Sequence, residues 1–208
     1  GINRYLLGKT DPTVDVESAK QTITQLDSLI DRVPSQTNRS GEKDLLQQFS
    51  TPPAYAYAAT WLANLSPADI VLESSAGVGG IAVHAKNSGA TVYVNEISPR
   101  RANLLQSLGF DGGFTEDAEQ AHNILPGKMP APSAVIINPP FSHAGKRMGL
   151  KKIAGTDLKH IDAALKTLRP GGRLVAIIGA PLQGGETNTF SRWLTAKQKA
   201  YNVRASVP

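Results

Sequence analysis

The order of apolar segments from Asp69 onward predicts an α/β protein built on a mostly parallel, twisted sheet. Three observations carry that expectation. Short apolar runs alternate with segments of helical spacing. A glycine-rich stretch joins the first run to its helix. Polar residues close successive runs at Glu73, Glu96, Asp117 and Asn138, at intervals of 21 to 23 residues, about one strand-helix unit with short loops. All four groups are therefore expected along one edge of the sheet, the edge where parallel α/β sheets bind ligands.

The elements follow in order. Val16, Ala19, Ile23, Leu26, Leu29, Ile30 and Val33 recur at helical spacing, with a start at Asp11-Pro12 or Thr13. The polar stretch Pro34 to Lys43 reads as a loop. A second helix is expected from Pro52-Pro53, with Tyr55, Tyr57, Ala58, Trp61 and Leu62 as packing residues rather than a base-stacking platform. Strands are expected at Ile70 to Glu73, Val92 to Ile97, about Phe110 to Thr115, Ala134 to Ile137 and Arg173 to Ile178. Helices are expected at Ile81 to Ser88, Pro99 to Leu108, Ala118 to Leu125, Asp157 to Leu168 and Thr187 to Ala200. Val203 to Pro208 reads as a sixth strand.

Composition narrows the chemistry. A chain of 208 residues accommodates one domain with a proper core. With no cysteine, disulfides, thiolate zinc sites and cysteine nucleophiles are excluded. His84, His122, His143 and His160 lack metal-ligand spacing, and no metal is expected. No apolar run reaches membrane-spanning length and no signal-like start is present, so a cytoplasmic setting is expected. The net charge of +5 suits a polyanionic partner without demanding one. Lys146, Arg147, Lys151 and Lys152 cluster just beyond Asn138 and are candidate phosphate contacts, with a solvated surface loop as the equal alternative.

Asn138-Pro139-Pro140-Phe141 follows the run Ala134-Val135-Ile136-Ile137 and is the most informative string in the chain. The Asn side-chain oxygen and a proline carbonyl can both accept from one NH2 group, and proline brings no competing N–H. Phe141 offers a face for a planar ring. The string therefore reads as a clamp for a planar amine. Glu73-Ser74-Ser75-Ala76-Gly77-Val78-Gly79-Gly80 joins strand to helix, where glycines let a ligand approach the backbone. Glu96 ends the next strand, positioned to accept from both hydroxyls of a ribose. The turn lacks the Gly-x-Gly-x-x-Gly spacing of a nicotinamide site, which favours S-adenosylmethionine as the nucleoside cofactor.

Taken together, Gln48-Phe49-Ser50-Thr51-Pro52, the Glu73 turn, Glu96 and Asn138 to Phe141 resemble the S-adenosylmethionine-dependent amino-group methyltransferases of the N6-adenine DNA type. The resemblance runs from about Gln48 to the C-terminus. It implies a Rossmann-like class I methyltransferase domain over 48–208 behind an N-terminal helical extension, 1–47. It implies that Gln48, Phe49, Thr51 and Pro52 lie against the methionine part of the cofactor. Glu73, Ser75, Ala76, Gly77 and Gly79 would hold its amine and carboxylate. Glu96 would bind the ribose, Ile97 would pack on the adenine ring, and Asp117 with Ala118 would meet the adenine amino group. Asn138 would lie between cofactor and target amine, and Asn138, Pro139, Pro140 and Phe141 would form the catalytic clamp.

The sequence departs from that family in two places. Ser74 stands where proline is frequent, and no target-recognition domain follows. The chain is expected to be a segment of a longer polypeptide lacking the last strand of the sheet, most similar to methyltransferase segments of helicase-fused phage and mobile-element proteins. DNA is the expected partner, with such a helicase as a further one. Flipping of the adenine out of the duplex is implied, and the loop His143 to Lys152 is expected to close over it. Guanine amines of ribosomal RNA, protein glutamine amides and a non-catalytic nucleic-acid-binding role are the alternatives.

Overall fold

In this computed structural model the described residues are 2–30, 50–140, 156–178 and 189–204. Five strands, β1 (Ile70–Glu73), β2 (Thr91–Asn95), β3 (Gly112–Phe114), β4 (Ala134–Ile137) and β5 (Arg173–Ala176), form one sheet in the order β3-β2-β1-β4-β5. Every pair is parallel. The sequence explains why: Ala134-Val135-Ile136-Ile137 is apolar throughout and buried throughout, as a strand covered on both faces must be. The chain runs outward from β1 to β2 and β3 on one side, then returns to place β4 and β5 on the other. That reversal opens a crevice beyond the carboxyl ends of β1 and β4.

Side-chain alternation divides the molecule into layers. Val71, Val92, Val94, Ala134 and Ile136 face one layer. That layer holds α1 (Ile2–Leu6), α2 (Val16–Ile30), α3 (Pro53–Leu62), α4 (Gly80–Asn87) and Leu105 of α5 (Pro99–Gln106). Leu72, Val135 and Ile137 face the other, with a 3-10 turn (Ala118–Gln120), α6 (Ala121–Ile124), α7 (Thr156–Thr167) and Trp193 of α8 (Thr189–Gln198). Prolines at the first helical position start both α3 and α5. No described helix is long and apolar enough to cross a membrane.

The N-terminal helices share the core of the first layer, through Leu6, Ala19 and Leu26. Of the packing residues expected on α3, Tyr57 and Trp61 serve this core, whereas Tyr55 and Leu62, 55 % and 46 % exposed, lie on the outer side of the helix. Tyr57 is fully buried and donates its hydroxyl to the Asp11 carbonyl at 2.8 Å, while the Trp61 ring nitrogen donates to the Val14 carbonyl at 2.9 Å. His84 Nδ1 lies 2.7 Å from the Thr10 hydroxyl, and Asn87 donates to the Leu6 carbonyl at 3.0 Å. Burial lowers the His84 pKa to about 4, so the imidazole there is neutral.

Several expected boundaries are corrected. β2 ends at Asn95 rather than Ile97, since Ile97 and Ser98 must turn into Pro99. β3 keeps three residues instead of six. Its Gly112-Gly113 pair forms strand weakly, and a side chain at Gly112 would stand 2.6 Å from the Tyr93 ring. The helix expected over Ala118 to Leu125 is split, because Gln120 (φ −104°, ψ 6°) leaves the helical path between the 3-10 turn and α6. β5 ends at Ala176, although Ile177 N still donates to the Ile137 carbonyl at 2.9 Å. Val203 and Arg204 carry no strand, and the remainder of that expected sixth strand lies outside the described residues.

The amino edge of the sheet is closed by one polar cluster. Asp69 accepts from Arg173 Nη2 at 2.8 Å, from the Ser133 hydroxyl at 2.6 Å and from Ser66 N at 2.8 Å. Arg173 also donates through Nε to the Ala63 carbonyl and through Nη2 to that of Asn64 at 2.9 Å. Burial alone would raise the Asp69 pKa, but Arg173, Ser133 and Ser66 outweigh it and hold the carboxyl well below the ordinary range.

Asp69→Ala is therefore expected to cost about 2–3 kcal/mol in urea unfolding at neutral pH, less than a fully buried pair because Arg173 keeps partial exposure. A depressed carboxyl pKa gives stability that is full above the unfolded value and fades as pH falls. The gap between wild type and variant should accordingly narrow below about pH 4.

Candidate functional site

The same alternation that layers the core builds the carboxyl edge. Glu73 shares the face of Val71, Glu96 that of Val92 and Val94, and Asn138 that of Ala134 and Ile136, so all three face the layer of α3 and α4. Glu73 is paired with Val94 on one side and Ile136 on the other. Glu96 and Asn138 each lie two residues beyond those partners. They flank the exit of β1 with backbones about 10 Å apart, twice the spacing of neighbouring strands.

Glu73 is 2 % exposed, and its Oε2 accepts the Ala82 amide at 2.7 Å, one of the first-turn N–H groups that α4 cannot satisfy internally. Burial pushes its pKa well above the usual range; the Ala82 bond opposes this and the neighbouring Glu96 charge adds to it. The turn from Ser74 to Gly79 then folds back over β2. Gly77 (φ +57°) and Gly79 (φ +84°) adopt left-handed conformations, and a side chain at Gly79 would stand 2.9 Å from Leu105. Ala76 N donates to the Asn95 carbonyl at 2.8 Å, and Gly77 N donates to Glu96 Oε2 at 2.7 Å. Ser75 is half-buried, Ser74 is buried, and the Ser74 hydroxyl has no hydrogen-bond partner among the described residues.

Glu96 is 6 % exposed, and its Oε1 accepts Ser98 N at 2.9 Å. The carboxylate thus braces the glycine turn and the start of α5 with one bond on each oxygen. An ionised carboxylate has about four acceptor positions, so two remain for a diol. Ile97 beside it is 50 % exposed, an apolar surface at the mouth of the site. Asp117 is exposed and caps the 3-10 turn by accepting Glu119 N at 2.9 Å; Ala118 is buried behind it.

Asn138 is half-buried, and its Nδ2 donates to the Thr51 hydroxyl at 2.8 Å. Its Oδ1 is buried and has no hydrogen-bond partner among the described residues. Pro139 is buried and Pro140 half-buried. Thr51 itself is half-buried, and Pro52 is exposed at the start of α3. Thr51, expected to serve the cofactor, is thus bound to the clamp.

The structure brings Thr51, Glu73, Ser75 to Gly79, Glu96, Ile97 and Asn138 to one edge, with Asp117 and Ala118 beyond β3. Gln48, Phe49, Phe141, Lys146, Arg147, Lys151 and Lys152 lie outside the described residues, as does the loop His143 to Lys152. Among the described residues no group of three His, Asp or Glu side chains is placed to hold a metal ion. Sequence reasoning overlooked Asn95. Only 1 % exposed, it donates to the Ser74 carbonyl at 3.0 Å and the Glu116 carbonyl at 2.9 Å, and accepts Glu116 N at 3.0 Å. A polar residue in an otherwise apolar strand, Tyr93-Val94-Asn95, was the available signal.

No protein-family model and no curated protein matches the chain. Solved structures do. TrmN from Thermus thermophilus is 26 % identical with a TM-score of 0.51, over 71 % of this chain and 45 % of that one. The chain thus spans less than half of TrmN. A proposed RNA methyltransferase from Pyrococcus horikoshii gives a TM-score of 0.58 at 18 % identity, over 86 % of this chain and 82 % of that one. A SAM-dependent O-methyltransferase from Thermotoga maritima gives 0.50 at 15 % identity, over 76 % and 54 %. The chain shares the Rossmann-like α/β fold of these structures.

Because burial raises the Glu73 pKa above its unfolded value, stability is lost as pH rises above the ordinary value near 4.5. Glu73→Gln keeps an acceptor for Ala82 N and removes that loss. Without ligand, the variant should melt several degrees above wild type near about pH 8, and the two should converge toward about pH 4.5 in thermal scans.

Proposed function

We propose that the chain transfers a methyl group from S-adenosylmethionine to an exocyclic amino group, with N6 of adenine in DNA as the target its motifs favour. The observation that carries this reading is the buried Oδ1 of Asn138 at the end of β4, which no group among the described residues hydrogen-bonds. Leaving such an acceptor unsatisfied costs about 1–3 kcal/mol, which an N–H donor from a ligand would recover. With Asn138 Oδ1 and the Pro139 carbonyl each taking one amine proton, the nitrogen lone pair is left free to attack. Positioning of this kind accounts for most of the acceleration the site can give. No general base is assigned, because an amine carrying a new methyl group is acidic enough to lose its proton to solvent.

The edge also fits the cofactor. S-adenosylmethionine supplies an electrophilic methyl group on a sulfonium. Glu73 and the turn Ser75 to Gly79 would hold its amino-acid part together with Pro52, and a bound ammonium would offset the cost of ionising Glu73. Glu96 has acceptor capacity for the ribose hydroxyls, Ile97 offers an apolar surface for the adenine ring, and Asp117 with Ala118 closes the far end. Phe141 would stack on the target base, and Lys146, Arg147, Lys151 and Lys152 would follow the phosphate backbone. A guanine amine of RNA is the second reading, favoured by Ser142-His143 directly after the clamp.

Calorimetry with S-adenosylmethionine, followed by transfer of labelled methyl groups to DNA, RNA and protein, tests the proposal. Label is expected in DNA as N6-methyladenine. Asn138→Ala should lower kcat by about 100-fold or more while cofactor Kd stays within a few-fold. Label confined to RNA or protein would overturn the DNA assignment. Failure to bind the cofactor at all would overturn the enzymatic one.

A further inference from the structure

We propose that the outer face of α8 is a binding surface for the sugar-phosphate backbone of a nucleic acid strand. The choice of nucleic acid rests on the proposed substrate class, but the binding itself needs no methyl transfer. Residues 189–204 contain Arg192, Lys197, Lys199 and Arg204 and no acidic side chain, so most of the chain's net charge of +5 comes from this one segment. Charge alone would suit any solvated helix. The arrangement of the charges is more specific.

α8 has two unlike sides. Phe190, Trp193, Leu194 and Lys197 recur at helical spacing and are half-buried, while Arg192, Thr195, Ala196 and Lys199 recur on the opposite side and are exposed. The inner side is occupied by packing. Phe190 stacks on Trp193 at 5.9 Å between ring centres, Trp193 Nε1 donates to Asp162 Oδ1 of α7 at 2.9 Å, and Lys197 Nζ reaches the same oxygen at 2.7 Å. Lys197 is thereby spent on holding the helix. Arg192, Lys199 and Arg204 are exposed and make no ion pair among the described residues, and Asp162, the acidic group that meets α8, is already taken.

The helical path continues past Gln198, since Tyr201 N donates to the Lys197 carbonyl at 2.9 Å. Arg192 and Lys199, seven residues apart, therefore lie about 10 Å apart along the axis on one side. A nucleic acid strand carries a phosphate about every 3.4 Å of helix axis, so that span covers about three phosphates. Thr195 and Ala196 between the two cations are small and leave the approach of a backbone unobstructed. The same face is unsuited to a lipid surface, because an interfacial helix buries an apolar side and the aromatic side of α8 is turned onto α7. A target base taken out of its strand leaves flanking nucleotides outside the pocket, and this face would hold them.

Fluorescence anisotropy of the full chain with a labelled single-stranded oligonucleotide, at several salt concentrations, tests the surface. The triple variant Arg192→Gln/Lys199→Gln/Arg204→Gln should bind about 10- to 100-fold more weakly near 0.1 M salt, with the slope of log K against log salt shallower by about 2. A control triple, Lys9→Gln/Lys20→Gln/Arg169→Gln, removes the same charge from other exposed positions and should stay within about threefold of wild type. Both triples should melt within a few degrees of wild type, since every altered side chain is exposed. A ribonucleotide strand that binds more tightly than the deoxyribonucleotide one, with the same loss in the α8 triple, keeps the surface and moves its partner to RNA.

Equal weakening in the two triples would assign the binding to net charge, and unchanged binding in the α8 triple would take the face out of it; either result overturns the proposal. Tighter binding to vesicles of phosphatidylcholine and phosphatidylserine than to the oligonucleotide, lost in the α8 triple, overturns it in favour of a membrane surface. If wild type methylates DNA and the α8 triple does so at the wild-type KM, the surface fails while the functional reading stands. If wild type transfers no methyl group and the α8 triple alone loses oligonucleotide affinity, the functional reading fails while the surface stands.

Discussion

The double pairing of β1, with β2 on one side and β4 on the other, is the contact on which the rest of this molecule depends. It places the reversal of strand order at Glu73, and it aligns three polar side chains on one face at the same edge. A slip of one residue in either ladder would turn Glu96 or Asn138 toward the layer of α6 and α7 and strand apolar residues at the edge. The fully apolar β4 resists such a slip weakly by composition, because each of its residues suits either face. Register is held instead at the amino edge, where Asp69, Ser133 and Arg173 join the starts of β1, β4 and β5 through hydrogen bonds with one geometry.

Most polar residues at the carboxyl edge support the structure as well as offering groups to a ligand. Glu73 satisfies the first turn of α4, Glu96 holds the glycine turn and Ser98, and Asp117 caps the 3-10 turn. Burial above all, with the Glu96 charge adding to it, holds the Glu73 carboxyl well above the usual carboxylate range. A cationic group placed beside Glu73 would offset the cost of ionising it. The edge is thus tuned by charge as much as by shape.

The parts legible in the sequence were those encoded locally. β1 and β4 have the expected limits because each apolar run stops abruptly at a polar residue, and the starts of α3 and α5 follow from Pro53 and Pro99. β3 was overestimated because Gly112-Gly113 lacks the side chains that would extend a strand. The break at Gln120 is a backbone event with no compositional signature. Contacts across long stretches of chain were not legible: the bond from Asn138 to Thr51 spans 87 residues, and the sharing of one core by α2 and α3 depends on which face each helix turns inward. The candidate site could be enumerated from motifs, but its internal bonding could not.

Asn95 gives the edge one further property. Its amide bonds Ser74, the residue leaving β1, and Glu116, two residues past β3, so two loops separated by a strand are tied by one crossbar. Loops joined in this way cannot order independently. The conformational entropy of both is given up during folding, and an incoming ligand meets a frame already assembled, spending little of its binding energy on arranging it.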